Sequence, residues 1–332
     1  MLRLPTQFTY YRPTTVEEAV KIAADHGPDS MYVAGGTDLY PNMKRRQQQP
    51  KHVISLSAIG VLRERSGDAK SGYTLGAMTT LAEIEHDAAL AETHRAVVDA
   101  ATSISTPLLR NMGTIGGNLL LDTRCNYYDQ NYEWRESINF CMKCDGDTCW
   151  VAPSSPRCWA VQSSDSVPVL TAMGAEVTLV GPEGERRIPA SDLYHDDGIQ
   201  FTNKKRGEIL TKVHLPATNG WRASYRKLRR RDSFDFPVLG IGACLWFDGD
   251  TVTRAEIRIG GAGSYAIPAT KTVEMITGQK LTKGNAATDE LLRAASQEAF
   301  KPTRAMDNTD HEASWRKKMA PIFVRRAIED CL

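Results

Sequence analysis

Five of the seven cysteines in this 332-residue chain, Cys125, Cys141, Cys144, Cys149 and Cys158, crowd into one stretch with the spacing C-x15-C-x2-C-x4-C-x8-C. Disulfides rarely persist in a reducing cytosol, whereas thiolate metal sites do, so this density of cysteines points to metal. No histidine lies among them, and an all-sulfur donor set suits structural zinc or an iron-sulfur cluster; spacing does not separate the two. Tyr127, Tyr128, Tyr132, Trp134, Phe140, Trp150 and Trp159 interleave the cysteines. They supply the apolar shield a redox cluster needs, or they give a long loop a core of its own. Cys244, in the apolar run VLGIGACLWF, reads as a small core residue, and Cys331 belongs to the C-terminal tail.

A second chemistry precedes the cysteines. AGGTD at residues 34–38 and TIGGN at residues 114–118 each place two glycines beside a hydroxyl. Consecutive backbone N–H groups unobstructed by Cβ atoms form concave nests for phosphate oxygens. Glycine pairs at strand ends also serve as plain turns. Neither loop is followed by the Lys-Ser/Thr pair of a Walker loop, and neither fits the GxGxxG fingerprint.

The elements that must position these groups follow from periodicity and caps. Thr15 and Glu18 have capping-box spacing, and Val16, Ala19, Val20 and Ala23 recur at helical intervals, predicting a helix that ends near Gly27. Residues 31–34 read as a short buried strand running into the first glycine pair, where the backbone must turn sharply. Further strands are expected at 53–56 and 73–77, a second helix after the capping box of Thr80 and Glu83, and a third over 94–103 ended by Pro107. Past the cysteines, residues 163–181 read as turn, short helix and strand, and 208–215 alternate as another strand. Residues 216–220 read as a linker and a domain boundary. Three strands follow at 221–227, 238–247 and 252–260, with Asp248-Gly249-Asp250 as a hairpin turn, then helices at 270–277, 288–299 and 315–331. This is an α+β pattern.

Composition bounds the function. Forty-one per cent hydrophobic residues support a large core and two domains. The balance of 41 basic and 40 acidic residues, net +1, lacks the footprint of a nucleic-acid binder. Lys44-Arg45-Arg46 and Arg229-Arg230-Arg231 read as solvated faces. No apolar run approaches the roughly 20 residues of a membrane helix, and the start MLRLPTQFTYYRP lacks the apolar core of a signal peptide, so a cytoplasmic protein is expected.

Taken in order, these motifs resemble the flavoprotein subunit of molybdenum hydroxylases, the family of xanthine dehydrogenase and carbon monoxide dehydrogenase. The resemblance extends through SSDSVP at residues 163–168, LTAMGA at 170–175, Glu208-Ile209-Leu210, and RRRD with FDFP at 229–237. It implies that residues 1–217 form a two-part FAD-binding domain of the vanillyl-alcohol-oxidase (PCMH) type. That domain would split near 55–60 and carry the cysteine-rich insert at about 120–160. Residues 218–332 would be the family's small C-terminal domain of antiparallel sheet plus helices. By this resemblance Ala34, Gly35, Gly36, Thr37, Asp38 and Leu39 clamp the FAD pyrophosphate from one side. Thr114, Ile115, Gly116, Gly117 and Asn118 clamp it from the other. Asp165 contacts the flavin's sugar alcohol, and Lys227 lies near the isoalloxazine, where a cation stabilises the anionic reduced flavin. From spacing alone Asp165 reads equally as a helix cap, and Lys227 as a solvated lysine.

The insert, with its run DTRCNYYDQ, resembles that of the flavin subunit of 4-hydroxybenzoyl-CoA reductase, where it holds a 4Fe-4S cluster. Carried over residue by residue, this implies Cys125, Cys141, Cys149 and Cys158 as ligands and leaves Cys144 spare. The C-x2-C pair on its own would favour Cys144 over Cys149. At most roughly 27 Å of extended chain joins Asn118 to Cys125. The implied function is electron transfer through FAD and a 4Fe-4S cluster within a molybdenum enzyme that dehydroxylates its substrate in another chain. No catalytic residue is then expected here. The implied partners are a 2Fe-2S small subunit, a molybdopterin large subunit and an external carrier such as ferredoxin. A second reading is the FAD subunit of an oxidative hydroxylase of an aldehyde, purine or other heterocycle. A third is a zinc-stabilised, non-redox binding module.

Overall fold

The computed structural model of the chain describes Leu4 and residues 7–332. The leader-free reading of the N-terminus rests partly on residues 1–3, 5 and 6, which lie outside these. The Thr15 hydroxyl accepts the Glu18 N–H at 3.1 Å and starts the helix Val16–His26. The Glu18 carboxylate turns to the Thr14 N–H at 2.9 Å, so the reciprocal half of the expected box falls one residue early. Val16, Ala19, Val20 and Ala23 pack with Ile54 and Leu56. They cover a parallel sheet in which His52–Ser55 lies between Thr9–Tyr11 and Ser30–Val33. Parallel neighbours need crossovers, which Val16–His26 and Leu39–Lys44 supply.

A five-stranded antiparallel sheet follows, in the order Arg65–Asp68, Gly72–Gly76, Ile209–Leu215, Glu176–Gly181, Gly184–Pro189. Its two edge strands are absent from the sequence expectation, because exposed edges carry no apolar alternation to read. One face buries Leu75, Val177, Leu179 and Val213 with the helices Leu81–Glu85, Arg95–Ser103 and Ser166–Ala172. Thr80 completes both halves of its capping box. Pro107 differs from expectation. The helix stops at Ser103, Ser105 takes φ +51°, and Pro107 opens the next helix, Pro107–Arg110, where its missing N–H costs nothing.

The C-terminal sheet runs Ile267–Pro268, Thr251–Gly260, Leu239–Asp248, Trp221–Leu228, all antiparallel. One face buries Leu239, Ile241, Ala243 and Leu245 against helices Thr270–Ile276, Ala286–Gln297 and Ala313–Glu329. The other face lies directly on Ser166–Ala172: a Cβ on Gly242 would stand 2.4 Å from the Pro168 carbonyl, and one on Gly260 2.6 Å from the Pro168 ring. The α+β frame is thus two sheets clasping one helix, with a parallel subdomain at the N-terminal end. Among the described residues no helix is long and apolar enough to cross a membrane.

Because backbone rather than a flexible side chain opposes Gly242, Gly242→Ala must shift the sheet. The expected cost is about 1–3 kcal/mol, seen as a lower urea midpoint with an unchanged slope.

Candidate functional site

The two glycine loops meet face to face. A Cβ on Gly35 would stand 1.7 Å from the Met112 carbonyl oxygen, and ideal Cβ positions on Gly113 and Gly117 lie 3.8 Å from Thr37 Oγ1 and Ala34 Cβ. Leu39 and Ile115 are buried anchors, one beside Val33, Met43 and Val53, the other in the core under the five-stranded sheet.

The loops differ in what they can offer a ligand. In the second, N–H groups are already taken: Ile115 donates to Thr79 O, Gly116 to Ala77 O, Gly117 to Thr114 Oγ1 and Asn118 to Thr114 O. Gly116 sits against Ala77, while Gly117 is exposed beside the first loop. In the first loop, Gly36 turns the chain at φ +74°. Among the described residues no acceptor takes the N–H groups of Gly35, Gly36, Thr37 or Asp38. A run of unused amides around a left-handed glycine fits an anionic diphosphate.

Asp165 and Lys227 come together in the seam between the helix Ser166–Ala172 and the C-terminal sheet. The Asp165 carboxylate accepts from Tyr225 Oη at 2.6 Å, Ser103 Oγ at 3.3 Å and Lys227 Nζ at 3.0 Å. Lys227 also donates to the carbonyls of Ser103 (3.0 Å) and Asp235 (2.9 Å). Both side chains are almost fully buried. Burial raises the Asp165 carboxyl, while Lys227, Tyr225 and Ser103 pull it down. Asp165 makes no side-chain cap on its own helix. Asn118 reaches the same strip, its Oδ1 accepting from Ser164 Oγ at 2.6 Å and Ser166 N–H at 3.3 Å.

Cys125, Cys141, Cys149 and Cys158, each 5–6% exposed, line one small cavity, and Cys144 does not. The main chain builds this ring with turns in which all four cysteine carbonyls accept: from Asp129, Cys144, Ala152 and Gly198 N–H groups at 2.8–3.0 Å. Gly198 is a required close approach, since a Cβ there would lie 2.6 Å from Cys158 Sγ. Burial pushes the Cys125 thiol up to about 12 and Cys158 to about 11, and raises Cys141. Cys144, half-buried, accepts from Arg135 Nη1 at 2.9 Å and donates to Asp145 at 3.2 Å. Of the interleaved aromatics, Tyr127, Tyr128 and Trp150 line the cavity. Tyr132 pairs with Phe140, and Trp159 stacks under Arg157 on a separate cavity. Among the described residues no group of three or more His, Cys, Asp or Glu side chains is arranged to hold a metal ion.

Residues that sequence reasoning missed join the two places. Lys143 Nζ, beside the cysteine cavity, donates to Asp122 at 2.7 Å, and Gln48 reaches the other oxygen of Asp122 at 3.3 Å. Gln47 donates to Tyr128 O at 2.6 Å, and buried Arg135 to Arg45 O at 2.7 Å. Lysine between the cysteines of CMKC was the one local signal. Asp38, half-buried, feels the same region: burial, then Asp122, with Asp129 adding and Arg124 and Arg45 opposing, pushes its carboxyl up to about 6.

Opposed glycine loops, the first with unused amides, on an α+β frame, fit a protein that holds a diphosphate-bearing cofactor. Residues 6–218 match the family model described as the FAD binding domain in molybdopterin dehydrogenase, and residues 223–331 match the CO dehydrogenase flavoprotein C-terminal domain. The chain belongs to the FAD-binding medium subunits of the molybdenum hydroxylase family and is an oxidoreductase subunit. The carbon monoxide dehydrogenase medium chain of Afipia carboxidovorans is 28% identical over 330 residues, covering 98% of this chain and 97% of the relative. The aldehyde oxidoreductase FAD-binding subunit of Escherichia coli is 30% identical over 263 residues, 76% of this chain and 81% of the relative. A crystal structure of the Cu,Mo-CO dehydrogenase superposes at TM-score 0.80 and 26% identity over 99% of both chains. Membership sets aside the reading of the chain as a zinc module without flavin.

A carboxyl raised in the folded chain binds its proton more tightly there, so Asp38 stabilises below its unfolded pKa near 4 and loses that contribution as pH rises through about 6. Asp38→Asn, which keeps an acceptor for Asn42, should therefore raise the melting temperature above pH 6 and match the parent below about pH 4. The gain, on the order of 1 kcal/mol, is read from melting curves across that range.

Proposed function

We propose that this chain is the FAD-carrying electron-transfer subunit of a molybdenum-containing oxidoreductase complex, and that Cys125, Cys141, Cys149 and Cys158 hold a 4Fe-4S cluster as a second redox group. The observation that carries the cluster is the cavity lined by these four buried cysteines and not by Cys144, whose sulfur meets Arg135 and Asp145. Four buried cysteines lining one cavity supply the all-sulfur donor set that an iron-sulfur cluster takes. The FAD domain would comprise residues 1–217, in two parts meeting near 55–60, with residues 218–332 as the C-terminal domain.

Bound FAD supplies transfer of electrons singly or in pairs. The amides of residues 35–38 would bind its diphosphate, with exposed Gly117 leaving room on the facing loop. The Asp165–Lys227 pair holds the C-terminal sheet against the FAD domain, since each partner satisfies the other's buried charge. The names "medium chain" and "FAD-binding subunit" carried by the relatives support assembly with other subunits. We assign these as a 2Fe-2S small subunit and a molybdopterin large subunit. For the complex's reaction, relatives that are carbon monoxide, nicotinate and aldehyde oxidoreductases favour oxidation of an aldehyde or heterocycle. The cysteine cavity favours instead the reading the resemblance implied first, a reductive dehydroxylation of the 4-hydroxybenzoyl-CoA type.

The purified chain should show flavin bands over broad iron-sulfur absorption, and a colourless chain would overturn the proposal. Single Cys→Ala changes at 125, 141, 149 and 158 should each deplete iron, while Cys144→Ala retains it. Parental iron content in Cys149→Ala would sink the ligand assignment.

A further inference from the structure

The cysteine cavity carries one buried cation whose partners are all on the protein's own backbone and side chains. Lys143 has a side chain only 6% exposed and lines the cavity with the four cysteines. Its ammonium makes three short contacts: Asp122 Oδ1 at 2.7 Å, Thr123 Oγ1 at 2.6 Å and Gly198 O at 2.7 Å. Three donors therefore meet three acceptors, and the group is fixed rather than mobile. Tyr128 and Phe201 place their rings 5.0 and 5.7 Å from the nitrogen. The acceptors come from both sides of the ring. Asp122 and Thr123 lie on the segment leading from the second glycine loop to Cys125, and Gly198 lies against Cys158. The positive charge lowers the cost of negative charge at Cys141 and Cys158. The carboxylate of Asp122 stands on the far side, where it acts on Asp38 of the first loop.

We propose that Lys143 is a positioning residue that sets the reduction potential of the group held by the four cysteines, with Asp122 as the counter-ion that attenuates it. The inference rests on the assignment of a cluster to this cavity. Reduction adds negative charge to a thiolate-bound cluster, and a fixed ammonium in a poorly solvated site favours the reduced form. Electrons are thereby drawn to the cavity's side of the subunit. Asp122 opposes this and holds the lysine in place.

The test is a potentiometric titration of the purified chain, following the cluster by electron paramagnetic resonance and measuring iron alongside. Lys143→Gln should make the potential more negative, by roughly tenfold in the reduction equilibrium, which is 59 mV for a one-electron couple. Lys143→Arg should restore it toward the parent. Asp122→Asn keeps the ammonium and removes its counter-ion, so it should move the potential the opposite way. A purely structural role would lower iron occupancy in both variants or shift both potentials in the same direction, and either result overturns the inference. Should Lys143→Gln fail to retain iron, Asp122→Asn and Lys143→Arg decide alone, and a parental potential in Asp122→Asn overturns it. A parent chain without iron would remove the cluster assignment itself, a failure distinct from unmoved potentials in iron-replete variants.

Discussion

The clamp depends on one backbone contact. Gly35 lies so close to the Met112 carbonyl that only a hydrogen fits where a Cβ would project, at 1.7 Å from the oxygen. That approach seats the tip of the parallel subdomain against the loop entering the helix Ile115–Leu119, and with it the unused amides of residues 35–38. Gly116 repeats the device one layer down, where a Cβ would meet Ala77 at 2.7 Å. The second loop spends its own N–H groups on Thr79, Ala77 and Thr114, which makes it rigid. The division of labour is physical: one loop leaves its N–H groups without an acceptor among the described residues, and the other spends its own on Thr79, Ala77 and Thr114.

The cysteine insert is attached to this clamp rather than hung from the fold. Arg135 reaches Arg45 O at the end of the helix that the first loop starts, and Gln47 and Gln48 reach back to Tyr128 O and Asp122. Arg135 is fully buried and finds no carboxylate within salt-bridge distance among the described residues. Its Nη groups are satisfied by a carbonyl and a sulfur, and Nε has no partner. A buried guanidinium of this kind is costly to leave unpaired, so the Arg135–Cys144 contact gives the fifth cysteine a structural role separate from the four that share the cavity.

Legibility followed locality. Helix starts at Thr15 and Thr80 could be read because a cap and its partner lie three residues apart. The C-terminal strands could be read because one face is continuously apolar. The edge strands Arg65–Asp68 and Gly184–Pro189 could not, since the first is exposed throughout and the second turns only Ile188 as an apolar side chain toward the core. At the site, glycine pairs and cysteines announce their chemistry by residue type. Which four cysteines converge does not follow from the C-x2-C spacing, because turns closed by Asp129, Ala152 and Gly198 set the ring. The Asp165–Lys227 pair, 62 residues apart, and the Lys143–Gly198 contact, 55 apart, are set by tertiary packing.

Burial alone disfavours thiolates in the cavity: it raises Cys125, Cys141 and Cys158 together, and negative charge on a neighbouring cysteine raises each further. Gathering these three groups under rings of tyrosine and tryptophan makes negative charge expensive there unless positive charge arrives beside it. Among the described residues Lys143 is the one cation on the cavity wall, and it is paired with Asp122. The same carboxylate raises Asp38 at the mouth of the diphosphate loop. One acidic residue therefore acts on both the cysteine cavity's lysine and the first glycine loop. The electrostatics of the two are linked through the few residues between Asn118 and Cys125.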